Sequence, residues 1–268
     1  MGRQLWFSVL VVILSAGRLP AQSTTSDQLQ VSPPPIRRAE PPSATASAEE
    51  LDRRGDELRS EKAYLDALDY YRAAIQKNPT SASLHNKTGI ALLQMQRYKD
   101  ARKEFERAIK IDAQYSDAYN NLGVVLYEEK NYGKAIKRYE KAIAIRADAA
   151  SYFSNLGAAY FSKKEFEKAM VAYRQALELD PDVLERTSRA GVSARLPSPE
   201  DRAHYAYVMA KLYARMGVTE RALEYLKRAV EEGYKGISDV YKDPEFTELR
   251  KNPLFTELMA AKIQGIPE

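Results

Sequence analysis

The sequence contains no cysteine and has one tryptophan and two histidines among its 268 residues. The absence of cysteine excludes disulfides, thiolate nucleophiles, zinc–thiolate sites and a lipid anchor on a leader cysteine. His85 and His204 leave few candidates for metal binding or acid–base chemistry. No phosphate-binding loop, dinucleotide-binding glycine fingerprint, HExxH or GxSxG motif occurs either. These absences predict a protein that is not an enzyme and that has neither a metal nor a cofactor.

Charge of one sign is not in excess, since 41 basic and 37 acidic side chains leave a net charge of +4. A chain so close to neutral lacks the one-sided basic stripe that neutralises many phosphates, so we do not expect nucleic acid as a partner. The hydrophobic fraction of 44% is enough to build a core, which excludes full disorder.

Residues 1–21 have the pattern of a secretory leader. Arg3 precedes an apolar run over residues 5–14, and Ala21 supplies a small residue before the expected cleavage point. The run is shorter than the roughly 20 apolar residues that span a bilayer. We predict a cleaved Sec signal peptide and a secreted protein, periplasmic if the source has two membranes, with no stable membrane insertion afterwards. An uncleaved anchor and a buried core helix are the alternatives.

Residues 22–47 hold five of the 13 prolines, among Ser, Thr and Ala, and show no apolar period. This composition predicts a disordered linker with extended polyproline geometry around the three prolines at 33–35. A proline-rich ligand for another protein module is the alternative.

From Ala48 the sequence repeats every 34 residues in four units, 48–81, 82–115, 116–149 and 150–183. Position 8 is always glycine (Gly55, Gly89, Gly123, Gly157), position 20 always alanine (Ala67, Ala101, Ala135, Ala169), and position 24 aromatic (Tyr71, Phe105, Tyr139, Tyr173). Positions 4, 7, 8 and 11 form one helical stripe, and positions 20, 24, 27 and 28 form a second. The small residues predict close approach of two antiparallel helices, and we expect each aromatic to fit against a small alanine at position 27 of a neighbour.

This pattern resembles the tetratricopeptide repeat (TPR), a 34-residue helix–turn–helix module. The consensus tryptophan at position 4 is replaced by bulky residues, namely Leu51, His85, Tyr119 and Phe153. The resemblance implies an all-α solenoid of antiparallel helix pairs that binds other proteins. We expect His85 to be a packed core residue.

Three segments follow the regular units. Residues 184–202 break the period and are expected to form an insertion loop, either a surface excursion or a basic clamp over a partner. Residues 203–235 read as a fifth, degenerate unit with its turn at Gly217 and with His204 facing outward. Residues 236–268 contain two Asx-Pro helix starts, at 243 and 252, and resemble the helical cap that closes some TPR arrays.

In TPR proteins the concave wall is formed by first helices, chiefly through positions 2, 5, 6, 9, 12 and 13. The resemblance therefore implies a partner-binding groove in units two to four, lined by Asn86, Lys87, Ile90, Leu93, Asn120, Asn121, Val124, Tyr127, Ser154, Asn155, Ala158 and Phe161. Amides with both donors and acceptors beside apolar side chains suit an extended peptide. We expect Asn121 and Asn155, which share position 6, to stack as a ladder.

The two ends of this groove carry opposite charges in the sequence. Glu49, Asp52 and Asp56 lie at the first unit, whereas His204, Lys211 and Arg215 lie at the fifth. The predicted function is an exported, non-catalytic scaffold that binds a peptide segment, oriented by this polarity. A self-assembling structural component, a non-catalytic subunit of an envelope complex and an enzyme are the alternatives.

Overall fold

The structure is a computed structural model that describes residues 38–184 and 198–264. The predicted leader, residues 22–37 of the linker, residues 185–197 of the insertion and the last four residues of the chain lie outside these ranges. The helices all belong to one compact unit, residues 39–268. Within the described ranges all regular secondary structure is helical, and no helix is long and apolar enough to cross a membrane.

Eight α-helices form four pairs: α1 (Ala48–Ser60), α2 (Tyr64–Lys77), α3 (Ala82–Gln94), α4 (Tyr98–Ile111), α5 (Ser116–Glu128), α6 (Tyr132–Ile145), α7 (Ala150–Ser162) and α8 (Phe166–Leu179). Each first helix packs on the second helix of its pair, and each second helix packs on the first helix of the next pair. The predicted all-α solenoid of antiparallel helix pairs is confirmed.

The remaining elements are α9 (Pro199–Arg215), α10 (Thr219–Glu231), three short 3-10 segments (Ile237–Tyr241, Pro244–Phe246, Leu249–Lys251) and α11 (Pro253–Gln264). Helices α9 and α10 pack on each other as a fifth pair. Ser198 caps α9 by accepting a hydrogen bond from the Asp201 amide at 3.0 Å, with Pro199 at the first helical position.

The first helix of each pair ends in a left-handed residue. Lys62, Gln96, Lys130 and Lys164 occupy the same repeat position and have φ between 59° and 63°, while Gly217, with φ +72°, takes that place in the fifth pair. At Lys130 the next amide, on Asn131, bonds back to the Leu126 carbonyl at 2.8 Å. This hydrogen bond caps the helix C-terminus, and the left-handed residue turns the chain toward the second helix of the pair.

Each aromatic ring at position 24 lies on the position-8 glycine of its own unit. A Cβ atom on Gly123 would lie 2.5 Å from Cε1 of Tyr139, and one on Gly55 would lie 2.6 Å from the same atom of Tyr71. The sequence predicted a small alanine of a neighbour as the partner of these rings. The contact shown is with glycine inside the same pair, because only a residue without Cβ lets the ring reach the facing backbone.

The predicted linker ends earlier than Ser47. Tyr70 Oη donates to the Glu40 carbonyl at 3.0 Å, Lys77 Nζ donates to the Ala44 carbonyl at 2.9 Å, and Ala39 packs against the core. Residues 39–46 therefore lie along α2. The sequence predicted a linker that extends to residue 47. The segment has no apolar period of its own, and it is held in place by side chains of α2.

The C-terminal segment packs on the fifth pair. Phe246, Leu249 and Phe255 are buried in one cluster with Met209 of α9 and Leu226 of α10. The second predicted helix start forms α11, where Asn252 Oδ1 accepts from the Leu254 amide. The first predicted start, at Asp243, forms only a 3-10 turn. The Asp243 carboxylate accepts a hydrogen bond from Tyr207 of α9 and does not cap the amides that follow it.

Candidate partner-binding face

The first helices stack in the order α1, α3, α5, α7, α9, and we call the side chains that they present at positions 2, 5, 6, 9, 12 and 13 the first-helix face. The structure brings the twelve predicted groove residues together on this face, along α3, α5 and α7. Ten of them are buried, and Lys87 and Ser154 are partly exposed. Most of the predicted lining therefore also serves the packing between pairs.

A row of hydrogen-bonded amides crosses three helices of the face. Asn155 Nδ2 donates to Asn120 Oδ1 at 3.0 Å, Asn120 Nδ2 to Asn121 Oδ1 at 3.2 Å, and Asn121 Nδ2 to Asn86 Oδ1 at 3.0 Å. Asn86 Nδ2 in turn donates to Tyr115 Oη at 3.4 Å. We call these four asparagines the amide row.

The predicted ladder between Asn121 and Asn155 is not what forms. Position 6 of one unit faces position 5 of the unit before it, so Asn155 bonds to Asn120 and Asn121 bonds to Asn86. The row therefore steps diagonally, with partners 35 residues apart and not 34.

A second bond joins α5 to α7 beside the amide row. The hydroxyl groups of Tyr127 and Ser162 lie 2.9 Å apart, and the Tyr127 ring packs against Tyr132 with centroids 5.2 Å apart. Burial raises the pKa of Tyr127 to about 12, although the Ser162 hydroxyl partly offsets this by favouring the ionised form. The phenol is therefore neutral at physiological pH.

Two carboxylates at the acidic end of the face share one lysine of the next unit. Lys87 Nζ lies 2.7 Å from both Asp52 Oδ1 and Asp56 Oδ2, which ties α3 to α1. Burial raises the pKa of Asp56, but hydrogen bonds from Lys87 and Tyr71 outweigh it and leave the pKa below its ordinary value.

The basic end is neutralised by carboxylates of the C-terminal segment. Lys211 Nζ lies 3.1 Å from Asp243 Oδ2, and Arg215 Nη2 lies 2.5 Å from Glu245 Oε1. Tyr207, two turns from Arg215 on α9, donates to Asp243 at 2.7 Å. Ion pairs inside the chain therefore occupy four of the six residues on which the expected charge polarity of the groove rests, namely Asp52, Asp56, Lys211 and Arg215. Asp243 and Glu245 were missed by sequence reasoning because an Asx-Pro pair signals a helix start and gives no information on distant cations.

His204 does not face outward as predicted. Its ring stacks on Tyr234 at 5.1 Å and lies 4.3 Å from the Phe166 ring and 5.6 Å from the Phe161 ring, centroid to centroid. Burial lowers the pKa of His204, with the nearby Asp201 carboxylate acting in the opposite sense. Aromatic packing thus replaces the amide row at the α7–α9 junction.

His85 is buried at the start of α3, with Nδ1 2.7 Å from Glu104 Oε2 of α4. The two histidines lie on α3 and α9 and share no partner. Within residues 38–184 and 198–264, no group of three or more His, Asp or Glu side chains is placed to hold a metal ion.

Comparison with known proteins points to one family. A tetratricopeptide-repeat model matches residues 114–182, and a second TPR-repeat model matches residues 89–129. A search of curated proteins found no match.

Solved structures share the fold. The structure of PilF from Pseudomonas aeruginosa is 19% identical, with a TM-score of 0.52, over 80% of this chain and 97% of its own. TTC0263, a thermophilic TPR protein in Thermus thermophilus, is also 19% identical, with a TM-score of 0.50, over 81% of this chain and all of its own. The helix pair α1 and α2, which precedes the matched residues, keeps the same 34-residue register. The chain contains tetratricopeptide repeats over residues 89–182.

Proposed function

We propose that this protein is a non-catalytic scaffold that binds a peptide segment of another protein along its first-helix face. TPR proteins are generally scaffolds for protein–protein interaction, which supports the class of partner. The observation that carries the proposal is the amide row, because it places side-chain donors and acceptors across three successive repeats.

The chemistry of the row suits a peptide main chain. A side-chain amide offers two donor hydrogens and two acceptor lone pairs, and the bonds within the row use one of each on Asn120 and Asn121. An extended peptide presents alternating N–H and C=O groups at similar spacing. Because these side chains are buried, a bound peptide would replace hydrogen bonds between the asparagines with hydrogen bonds to its own main chain. Each replacement changes the free energy little, since one hydrogen bond contributes about 1 kcal/mol net.

Apolar contact supplies the remaining affinity. Ile90 and Ala158 occupy position 9 of their units, on the same face as the row and one turn along each helix, and keep 8% and 7% of their surface exposed. A peptide with apolar side chains on one edge would cover them while its main chain meets the amides.

The test uses the full chain and a displayed library of random peptides. Selected peptides are measured by fluorescence polarisation against the unmodified protein, an Asn121→Ala/Asn155→Ala variant and a control, Lys134→Ala/Lys137→Ala, whose side chains are exposed on α6. Tyr127 and Phe161 are left unchanged because removal of a large buried ring would leave a cavity in the core. We expect the amide variant to bind about tenfold more weakly and the control to bind normally.

Thermal melting of all three proteins shows whether the fold is retained. If no peptide is selected, or if a folded amide variant binds as tightly as the control, the first-helix face is not the binding surface.

We also propose that the protein is exported and its leader removed. The support is the basic start, apolar run and small residue before the cleavage point within residues 1–21.

A further inference from the structure

A cavity of about 470 Å³ lies between α2, α3 and α4. Helices α2 and α4 both pack on α3, and all three contribute to the lining of the cavity. Ile75 and Leu92 form the apolar wall of the cavity. Its lining contains none of the twelve predicted groove residues. The volume lies within the roughly 300–1,000 Å³ typical of small-molecule sites.

The polar lining carries a positive excess. Its two carboxylates are already neutralised, since Asp100 pairs with Arg97 at 2.6 Å and Glu104 pairs with Arg107 at 2.5 Å. Lys103 has no ion pair with any carboxylate of the described residues. Arg72 also lines the cavity, and its ion pair with Asp69 is long, at 3.9 Å.

The cavity is particular to this junction. Position 4 is Leu51, Tyr119 or Phe153 in the other units, but here it is His85, whose imidazole is bound to Glu104. One repeat later, Arg72 is replaced by Glu106, which reverses the charge at the equivalent place. The combination of an apolar wall with Lys103 and the weakly paired Arg72 therefore occurs at this junction and is not repeated at the next.

We propose that this cavity binds an amphipathic anion, with a phosphate or carboxylate group held by Lys103 and Arg72 and a small apolar body packed on Ile75 and Leu92. Both oxyanions accept charge-assisted hydrogen bonds from these cations. The apolar wall selects against a bare inorganic ion, because it offers such an ion no hydrogen bonds.

The experiment titrates the full-length protein, free of any histidine tag, with phenyl phosphate, hexanoate, inorganic phosphate and neutral benzyl alcohol at low salt. Binding is followed by calorimetry and by the NMR signals of the histidine rings. His85 lines the cavity, whereas His204 lies in α9, so the protein carries its own internal reference. We expect saturable binding of phenyl phosphate or hexanoate, with a Kd of about 1 mM or tighter, and a shift of the His85 signal alone.

The matched variants are Lys103→Ala and Lys137→Ala, which change the same repeat position on α4 and α6. We expect Lys103→Ala to weaken binding about fivefold and Lys137→Ala to leave it unchanged. The comparison of phenyl phosphate with hexanoate distinguishes a phosphate from a carboxylate ligand.

Three results would each overturn the proposal. They are the absence of saturable binding of both organic anions up to about 10 mM, equal binding of inorganic phosphate or benzyl alcohol, and equal affinities of the two lysine variants.

Discussion

At the scale of single residues, contacts of under 3 Å between an added Cβ and a facing ring explain why glycine stands at position 8. The ring of Tyr139 lies directly over Gly123, and the same arrangement holds Phe105 over Gly89. The ring is fully buried in close-packed surroundings, so it cannot shift to accommodate a Cβ atom on the glycine.

Gly123→Ala is expected to destabilise the protein by about 1–3 kcal/mol, because the new methyl group overpacks the core. Gly133→Ala is the control: Gly133 lies in α6 with no atom within 4 Å of its added Cβ, and its replacement should stabilise the helix by up to about 1 kcal/mol. Urea unfolding measures both. Equal effects of the two changes would show that position 8 is not under steric constraint.

The left-handed turn residues form the second constraint at this scale. Lys130 has φ +59° and carries a Cβ that this conformation disfavours, whereas the fifth pair uses Gly217. Lys130→Gly should therefore raise stability by about 1 kcal/mol, through relief of backbone strain.

Lys134→Gly, inside α6, should instead lower stability by about 1 kcal/mol, because glycine is a poor helix former. Chemical denaturation of the two glycine variants distinguishes strain relief from a general effect of glycine. A loss of stability in Lys130→Gly would contradict the explanation.

At the scale of elements, the C-terminal segment takes the place of a sixth first helix. Asp243 bonds to Tyr207 at position 5 of the fifth unit, much as Asn121 bonds to Asn86 at position 5 of the second. Phe246 packs against the ring of Tyr207, with centroids 5.6 Å apart. The segment thus closes the stack with ion pairs where the inner repeats use amides.

This closure should weaken in acid. Burial raises the pKa of Glu245, but hydrogen bonds from its own backbone amide and Arg215, with the charges of Lys211 and Arg215, hold the pKa below its ordinary value of 4.5. A carboxylate with a depressed pKa contributes stability above its unfolded-state pKa and loses that contribution as pH falls through the folded-state value.

Melting temperatures from about pH 6 to about pH 3 test this, because the pH dependence reports the proton uptake on unfolding. Glu245→Gln should be less stable than the unmodified protein at neutral pH and should lose less stability in acid. Glu248→Gln, at an exposed carboxylate in the same segment, should follow the unmodified protein. Parallel curves for all three would exclude the Glu245 ion pairs as the source.

At the scale of the whole molecule, each helix pair contacts mainly its neighbours, so stability is distributed along the stack. The core of the stack consists of two principal apolar clusters, one running from α1 to α8 and the other from α7 to α11. A local defect should therefore be felt most strongly in its own cluster.

Phe246→Ala removes a fully buried ring from the second cluster and should cost about 3–5 kcal/mol there. Hydrogen exchange should show lost protection in α9 and α10 with protection largely kept in α1 to α4. Phe105→Ala, in the first cluster, should give the reverse pattern. Uniform loss of protection in both variants would show that the stack unfolds as one unit.

Removal of the proposed leader has a simple optical consequence. Trp6 is the only tryptophan, beside 18 tyrosines, so the cleaved protein should show tyrosine emission alone. Tryptophan emission from protein isolated from its source would show that the leader is retained. Light scattering of the same material over a concentration range tests the alternative of a self-assembling component, which a strict monomer would exclude.

The sequence by itself determined the helix pairs and their register. Glycine at 8, alanine at 20 and an aromatic at 24 recur without an insertion, and every regular pair begins and ends at the same repeat positions. This holds even where proline is missing: α4 and α6 end at Ile111 and Ile145, in step with α2 and α8. Such features follow from local periodicity and from contacts inside one pair, which a single repeat encodes.

Only the tertiary structure decided which polar groups meet. The packing of neighbouring first helices bonds Asn155 to Asn120, and the return of the C-terminal segment brings Asp243 to Lys211. The same packing places His204 among aromatic rings and opens the cavity beside His85. A repeat pattern specifies which face a residue occupies, but the rotation and shift between successive pairs specify its partner, and these depend on the packing of all the side chains between them.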